Sequence, residues 1–149
     1  MDLLEAIKEY FYGYENIDEE GLIYINNTPV EDTNYAIIQA PMANGGIVKS
    51  FIGGDVIMQY LFEFDTINQH SNGVDDINKI NSLFYVKLEK WIRDNNRSGI
   101  LPNVENCQSI EVVRSAYVKQ ISEDGQQAVH SMSARITYYE KGDLNQYDN

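Results

Sequence analysis

Residues 51–66 read FIGGDVIMQYLFEFDT. After the glycine pair, Val56, Met58, Tyr60, Phe62 and Phe64 fall on one side of a two-residue period, and Ile57, Gln59, Leu61, Glu63 and Asp65 on the other. Side chains alternate across a strand, and aromatic and β-branched residues suit its pleated surface, so the stretch is a long strand. The first side is wholly apolar and demands a core. The second mixes Ile57 and Leu61 with Gln59 and Glu63, too apolar for open solvent and too polar for a deep core. Such a strand belongs near the middle of a sheet with one face against helices and the other partly covered. Nothing on it is an evident catalyst.

Working outward toward the N-terminus, residues 47–51, 35–40 (YAIIQA) and 21–25 (GLIYI) are shorter strand candidates. They are bounded by Asn44-Gly45-Gly46, Pro41 and the NNTP run ending at Pro29, which supply turns and remove a ladder donor. Gly53-Gly54 is a β-bulge or a bend that admits close backbone approach. Before these strands, Leu3, Leu4, Ile7, Tyr10, Phe11 and Tyr14 recur at three- and four-residue spacing. That is a short amphipathic helix, capped by Asp2 and stopped near Gly13.

Toward the C-terminus, Ile77, Ile80, Phe84, Leu88 and Trp91 form an apolar stripe widened by Leu83 and Ile92, opposite Asn81, Lys87, Lys90 and Asp94. This predicts a helix of about five turns. NNRSG stops it, and Leu101-Pro102 begins an extended exit. Two strands follow, 109–122 and 128–140, joined at Glu123-Asp124-Gly125-Gln126. The first alternates Ile110, Val112, Ala116 and Val118 against Glu111, Ser115 and Lys119, with Val113, Tyr117 and Ile121 making the second face partly apolar. The other aligns Met132, Ala134, Ile136 and Tyr138.

The expected class is α+β: a two-layer sandwich, with a mixed, mainly antiparallel sheet of roughly four or five strands packed by two helices. A parallel connection runs across the long helix, and the other pairings are antiparallel. Residues 1–141 form one domain, and 142–149 a flexible polar tail.

At 149 residues the chain can bury a substantial core. A formal charge of -12 opposes binding to nucleic-acid phosphates and to anionic membranes. Lys87, Lys90, Arg93 and Arg97 make a local basic cluster that reads as a solvated helix face. No apolar run is long enough to span a membrane, and the acidic N-terminus does not read as a signal peptide. Cys107 is the single cysteine, so no intrachain disulfide forms, as in an intracellular fold.

Candidate chemistry is sparse. His70 sits in a polar loop and His130 in the last strand, with no metal-ligand motif around them. Cys107 has no neighbouring histidine in sequence to activate it. Glu15, Asp18, Glu19 and Glu20 do not match a calcium-loop spacing, and neither glycine pair begins a phosphate loop. No catalytic, metal or cofactor-binding residue is assigned. Eleven tyrosines remain to be explained. Core filling accounts for many, and an assembly surface would account for an excess.

Five features in this order carry a resemblance: YFYGY at 10–14, the Gly53-Gly54 pair leading into QYLFEF, the helix bearing Trp91, NNRSGILP at 95–102, and RITYYE at 135–140. The chain resembles the minor capsid or tail-terminator-like proteins of the head–tail module of long-tailed phages and prophages of Gram-positive bacteria. The resemblance implies a sheet packed by helices and a structural, non-enzymatic role. It also implies self-association into a ring, typically hexameric, that caps the tail tube and joins it to the head. The partners would be the tail tube protein and a head-completion protein, with DNA passing through the channel without specific binding. The place would be the tail–head junction of the virion, reached from the host cytoplasm during assembly. Gly53, Gly54, Trp91, Leu101 and Pro102 would be positional residues of the fold. Ile57, Leu61, Tyr138 and Tyr139 join them as structural or interface candidates, and segments 41–54 and 109–140 are the expected ring contacts. The alternatives are another head–tail connector, or a small-molecule binder or enzyme with a pocket near His70 or Cys107.

Overall fold

A computed structural model describes residues 2–17, 22–26, 34–69 and 75–142, with backbone alone at 34, 69 and 75–80. Helix α1 (Leu3–Tyr12) starts where Asp2 Oδ1 accepts from the Glu5 N–H at 3.0 Å, and ends at Gly13. Strands β1 (Ile23–Ile25), β2 (Asn34–Gln39), β3 (Ile47–Ser50) and β4 (Val56–Gln69) follow. Helix α2 (Asp75–Ser98) leads to the hairpin of β5 (Cys107–Ile121) and β6 (Gln127–Glu140). Among the described residues no helix is long and apolar enough to cross a membrane.

The long strand is the spine of the sheet. β4 pairs antiparallel with β6 along its whole length, from Val56 opposite Glu140 to Gln69 opposite Gln127. The order is β1-β2-β4-β6-β5, with β3 also on β4. This is α+β, with two helices against a mixed, mainly antiparallel sheet. Among the described residues it has six strands, not the expected four or five. The extra strand fits because β4 is long enough to hold two partners on one edge. β2 takes the stretch from Phe62 to Ile67, and β3 takes Val56 to Met58.

The parallel relation also differs from expectation. β4 and β5 do run the same way across α2, since both are antiparallel to β6, but β6 lies between them. The strand pair hydrogen-bonded in parallel is β1 with β2. The glycine pair is not a bulge. Gly53 (φ 103) and Gly54 (φ 97) form the turn of the β3–β4 hairpin, a backbone conformation that costs glycine little.

The core lies between the helices and the face of β4 that carries Tyr60, Phe62 and Phe64, all buried. On β6 the same face presents Met132, Ala134 and Ile136, also buried. Phe11 docks α1, with its ring centroid 4.6 Å from that of Phe64 and 5.9 Å from that of Phe62. Trp91 fills the seam between the helices, 4.8 Å from Tyr10 and 5.2 Å from Tyr14 by ring centroid.

Of the stripe read in sequence, Leu88 and Ile92 are buried and Phe84 and Trp91 pack against the core, while the side chains of Ile77 and Ile80 lie outside the described residues; the fully buried line is wider than expected. It runs Asn81, Tyr85, Leu88, Ile92, Asn95, while Leu83 is half exposed. Asn95 can sit inside because its Nδ2 donates to Tyr10 Oη at 3.3 Å. Burial pushes the Tyr10 hydroxyl up to about 12. The helix ends at Gly99 (φ 75), where the Ile100 N–H reaches back to the Asn95 carbonyl at 2.8 Å.

A candidate interface on helix α2 and the edge strand β5

β5 is the lateral edge of the sheet, and it does not keep the clean alternation expected of it. Its pairing with β6 slips at four places: between Cys107 and Ser109, Val112 and Arg114, Arg114 and Tyr117, and Val118 and Gln120. Each extra residue kinks a strand and increases its twist, and bulges of this kind also blunt an edge against uncontrolled pairing. After each slip the outward and inward positions exchange. Val113, Tyr117, Val118 and Ile121 are therefore exposed.

On the helix side, bowed β5 and α2 leave a groove. One part, about 530 Å³, is lined by Ser82, Tyr85, Val86, Glu89, Ser115, Ala116, Tyr117, Val118 and His130. An adjoining part of about 400 Å³ shares Glu89 and Ser115 and carries Arg93, Arg97 and Glu111. Val86 is exposed at its rim. The Glu89 Oε1 atom is buried with no hydrogen-bond partner among the described residues. A buried acceptor without a donor is costly, so this carboxylate is suited to meeting a cation brought from outside.

The groove floor is held by Tyr85. Its hydroxyl donates to the His130 carbonyl at 3.1 Å and lies 2.9 Å from Thr66 Oγ1, which in turn accepts from Asn68 Nδ2 at 3.0 Å. Burial raises the Tyr85 hydroxyl well above its ordinary value, so it stays a neutral donor. Tyr85→Phe is expected to cost about 1–3 kcal/mol in chemical denaturation, because the buried partners lose their hydroxyl. A change below about 0.5 kcal/mol would show that the floor does not depend on this bond.

On the opposite face of the sheet, β5 straps back over β6. Lys119 Nζ lies 2.9 Å from Glu63 Oε2 and 3.2 Å from Asp65 Oδ2, both on β4. Arg114 donates to Ser133 Oγ at 3.3 Å and stacks on the Tyr117 ring at 4.5 Å. The small Ser131 and Ser133 on β6, opposite Asp65 and Glu63, leave room for these cations to cross. The strap buries Asp65 completely, although the alternation had placed it on the mixed face.

Burial raises the Asp65 carboxyl above the usual carboxylate range, with Ser131 and Lys119 offsetting part of the rise. Stability from such a group is fully present below the unfolded value of about 3.9 and is lost as pH climbs through the raised folded value. The stability of the wild type relative to Asp65→Asn is thus expected to fall as pH rises above about 4. Denaturation curves at stepped pH would show it, and a wild-type advantage that grows with pH would contradict it.

The residues singled out in sequence do not form one site. Gly53, Gly54, Ile57 and Tyr139 gather at the β3–β4 hairpin. Tyr139 Oη donates to Asp55 Oδ2, Gly142 N–H donates to Asp55 Oδ1 at 2.7 Å, and Ile57 stands opposite Tyr139. Gly142, expected to begin the tail, is thereby tied to the hairpin; the rest of the tail lies outside the described residues. Leu61 is half-buried at mid-sheet opposite Arg135. Trp91 is between the helices, Pro102 is buried after α2, and Leu101 and Tyr138 pack at the core margin.

Lys87, Lys90, Arg93 and Arg97 are all exposed, as a solvated face should be. Burial pushes the Cys107 thiol up, against thiolate formation. His70, Asp18, Glu19 and Glu20 lie outside the described residues. Val86 and Glu89 are not singled out by the sequence; of the β5 residues that line the groove, Ala116 and Val118 belong to the expected apolar face and Tyr117 to the mixed one.

Compared with known proteins, the chain matches no family model and no curated sequence.

Proposed function

We propose that this chain is a structural subunit that assembles head to tail into a ring, capping a phage-type tail tube at its junction with the head. One observation carries the reading. The molecule exposes apolar side chains on two different flanks of its sheet. Val48, Phe51 and Ile52 are exposed on the β3 hairpin, and Val113, Tyr117, Val118 and Ile121 on β5. β3 shares one edge of β4 with β2, whereas β5 lies beyond the other edge. Two unlike surfaces on opposite flanks suit a heterologous contact, which closes into a ring when the rotation per subunit allows. Exposed apolar groups of this kind mark interaction surfaces.

The tail-terminator-like character of the fold is part of the same proposal, supported by the order of elements from the N-terminal helix to the C-terminal hairpin. The charge of -12 suits a channel wall along which DNA slides without sticking. Electron microscopy of tail tubes mixed with the protein tests the reading. Density capping one end of each tube is expected, and protein that stays off the tubes or coats their sides would overturn it.

The competing reading is a small-ligand binder. The groove floored by Tyr85 and His130 has the size of such a site. Compounds that bind there while tubes remain uncapped would favour that role.

A further inference from the structure

The groove and the hairpin are complementary in both shape and charge. The groove is concave, apolar around Val86, Ala116 and Val118, and holds Glu89, whose Oε1 is buried without a partner among the described residues. The β3–β4 hairpin is convex. Ile52 is fully exposed at its tip, beside the exposed Phe51. Lys49 stands over the Phe51 ring, with Nζ 5.1 Å from the centroid, and so adds a cation to this apolar tip. The two features lie on opposite flanks of the β4–β6 pair, so a subunit cannot readily fill its own groove, but a neighbour can.

We infer that the β3–β4 hairpin of one copy docks into the α2–β5 groove of the next. Ile52 and Phe51 would cover Val86, Ala116 and Val118, and Lys49 would reach Glu89. The adjoining part of the groove adds Arg93 and Arg97, which oppose a lysine, beside Glu111, which is already paired with Arg135. The occupant is a second copy of this chain because both halves of the match are on one molecule. The pairing of Lys49 with Glu89 also gives a net-negative protein a local attraction against its overall repulsion. This inference rests on the proposed ring and assigns its contact.

A charge swap tests it. Self-association of the full chain is measured by sedimentation for the wild type, Lys49→Glu, Glu89→Lys and the double variant, and tube capping by the wild type is scored alongside. Each single variant is expected to associate at least about tenfold more weakly, since it sets like charges together, and the double variant to regain most of the loss. Single variants that associate normally, a double variant no better than the singles, or a wild type that stays monomeric would overturn the docking. If the wild type still caps tubes in those cases, the docking alone is wrong; if it does not, the ring reading falls with it.

Discussion

Phe64→Ala is expected to lower folding stability by about 3–5 kcal/mol, the range for emptying a large buried aromatic site. Phe64 is fully buried, stacked on Phe11 at 4.6 Å and on Tyr35 at 5.8 Å. It therefore ties α1, β2 and the central strand together, and its loss leaves a cavity that none of the three can close alone. A domain of this length has about 5–15 kcal/mol in total, so the variant should melt roughly 6–20 °C lower. Amide exchange in α1 should quicken more than in α2, because Phe11 loses its stacking partner. A loss below about 1.5 kcal/mol would mean that the helix is not anchored there.

Gly46→Ala is the second large effect. Gly46 is buried with φ +90, and a Cβ there would stand 2.6 Å from the Gln59 carbonyl oxygen on β4. The backbone of the central strand cannot easily yield. The left-handed conformation alone costs alanine about 1–2 kcal/mol, and the collision must be relieved by lifting β3. A total of about 2–4 kcal/mol is expected. Gly45→Ala is the control: its φ is +61 but its Cβ would meet nothing, so only the conformational cost applies. Equal losses for the two substitutions in chemical denaturation would show that the close approach to Gln59 adds no cost. Because β3 carries the hairpin, Gly46→Ala should also weaken self-association.

Much of this fold was legible from period alone. Tyr60, Phe62 and Phe64 alternate with half-buried Leu61 and Glu63 as the pattern required, although Val56 and Met58 on the same side are only half-buried, and Met132, Ala134 and Ile136 share the core face of β6. Asp2 caps α1, and Gly53-Gly54 turns the chain, because those roles depend on local geometry.

What was not legible depends on partners distant in sequence. Asn81 reads as part of the polar face and Asn95 as part of the helix stop, yet both are buried; Asn95 meets Tyr10 across the helix seam. Asp65 looked half-covered, but Lys119 crosses β6 to seal it. The slips in β5 leave no mark in a two-residue pattern, since a bulge only exchanges the faces beyond it. The groove follows from those slips, so the candidate interface could be placed only once the strands were paired. Its apolar β5 residues, Ala116, Tyr117 and Val118, are visible in sequence, but on two different expected faces and without their position.

The proposed ring would end a polymer by closing over its tip. The most direct measurement is the length distribution of tail tubes assembled with and without the protein, by electron microscopy. Tubes of one narrow length are expected when it is present, and overlong, variable tubes when it is absent. Tubes of the same length in both preparations would contradict it.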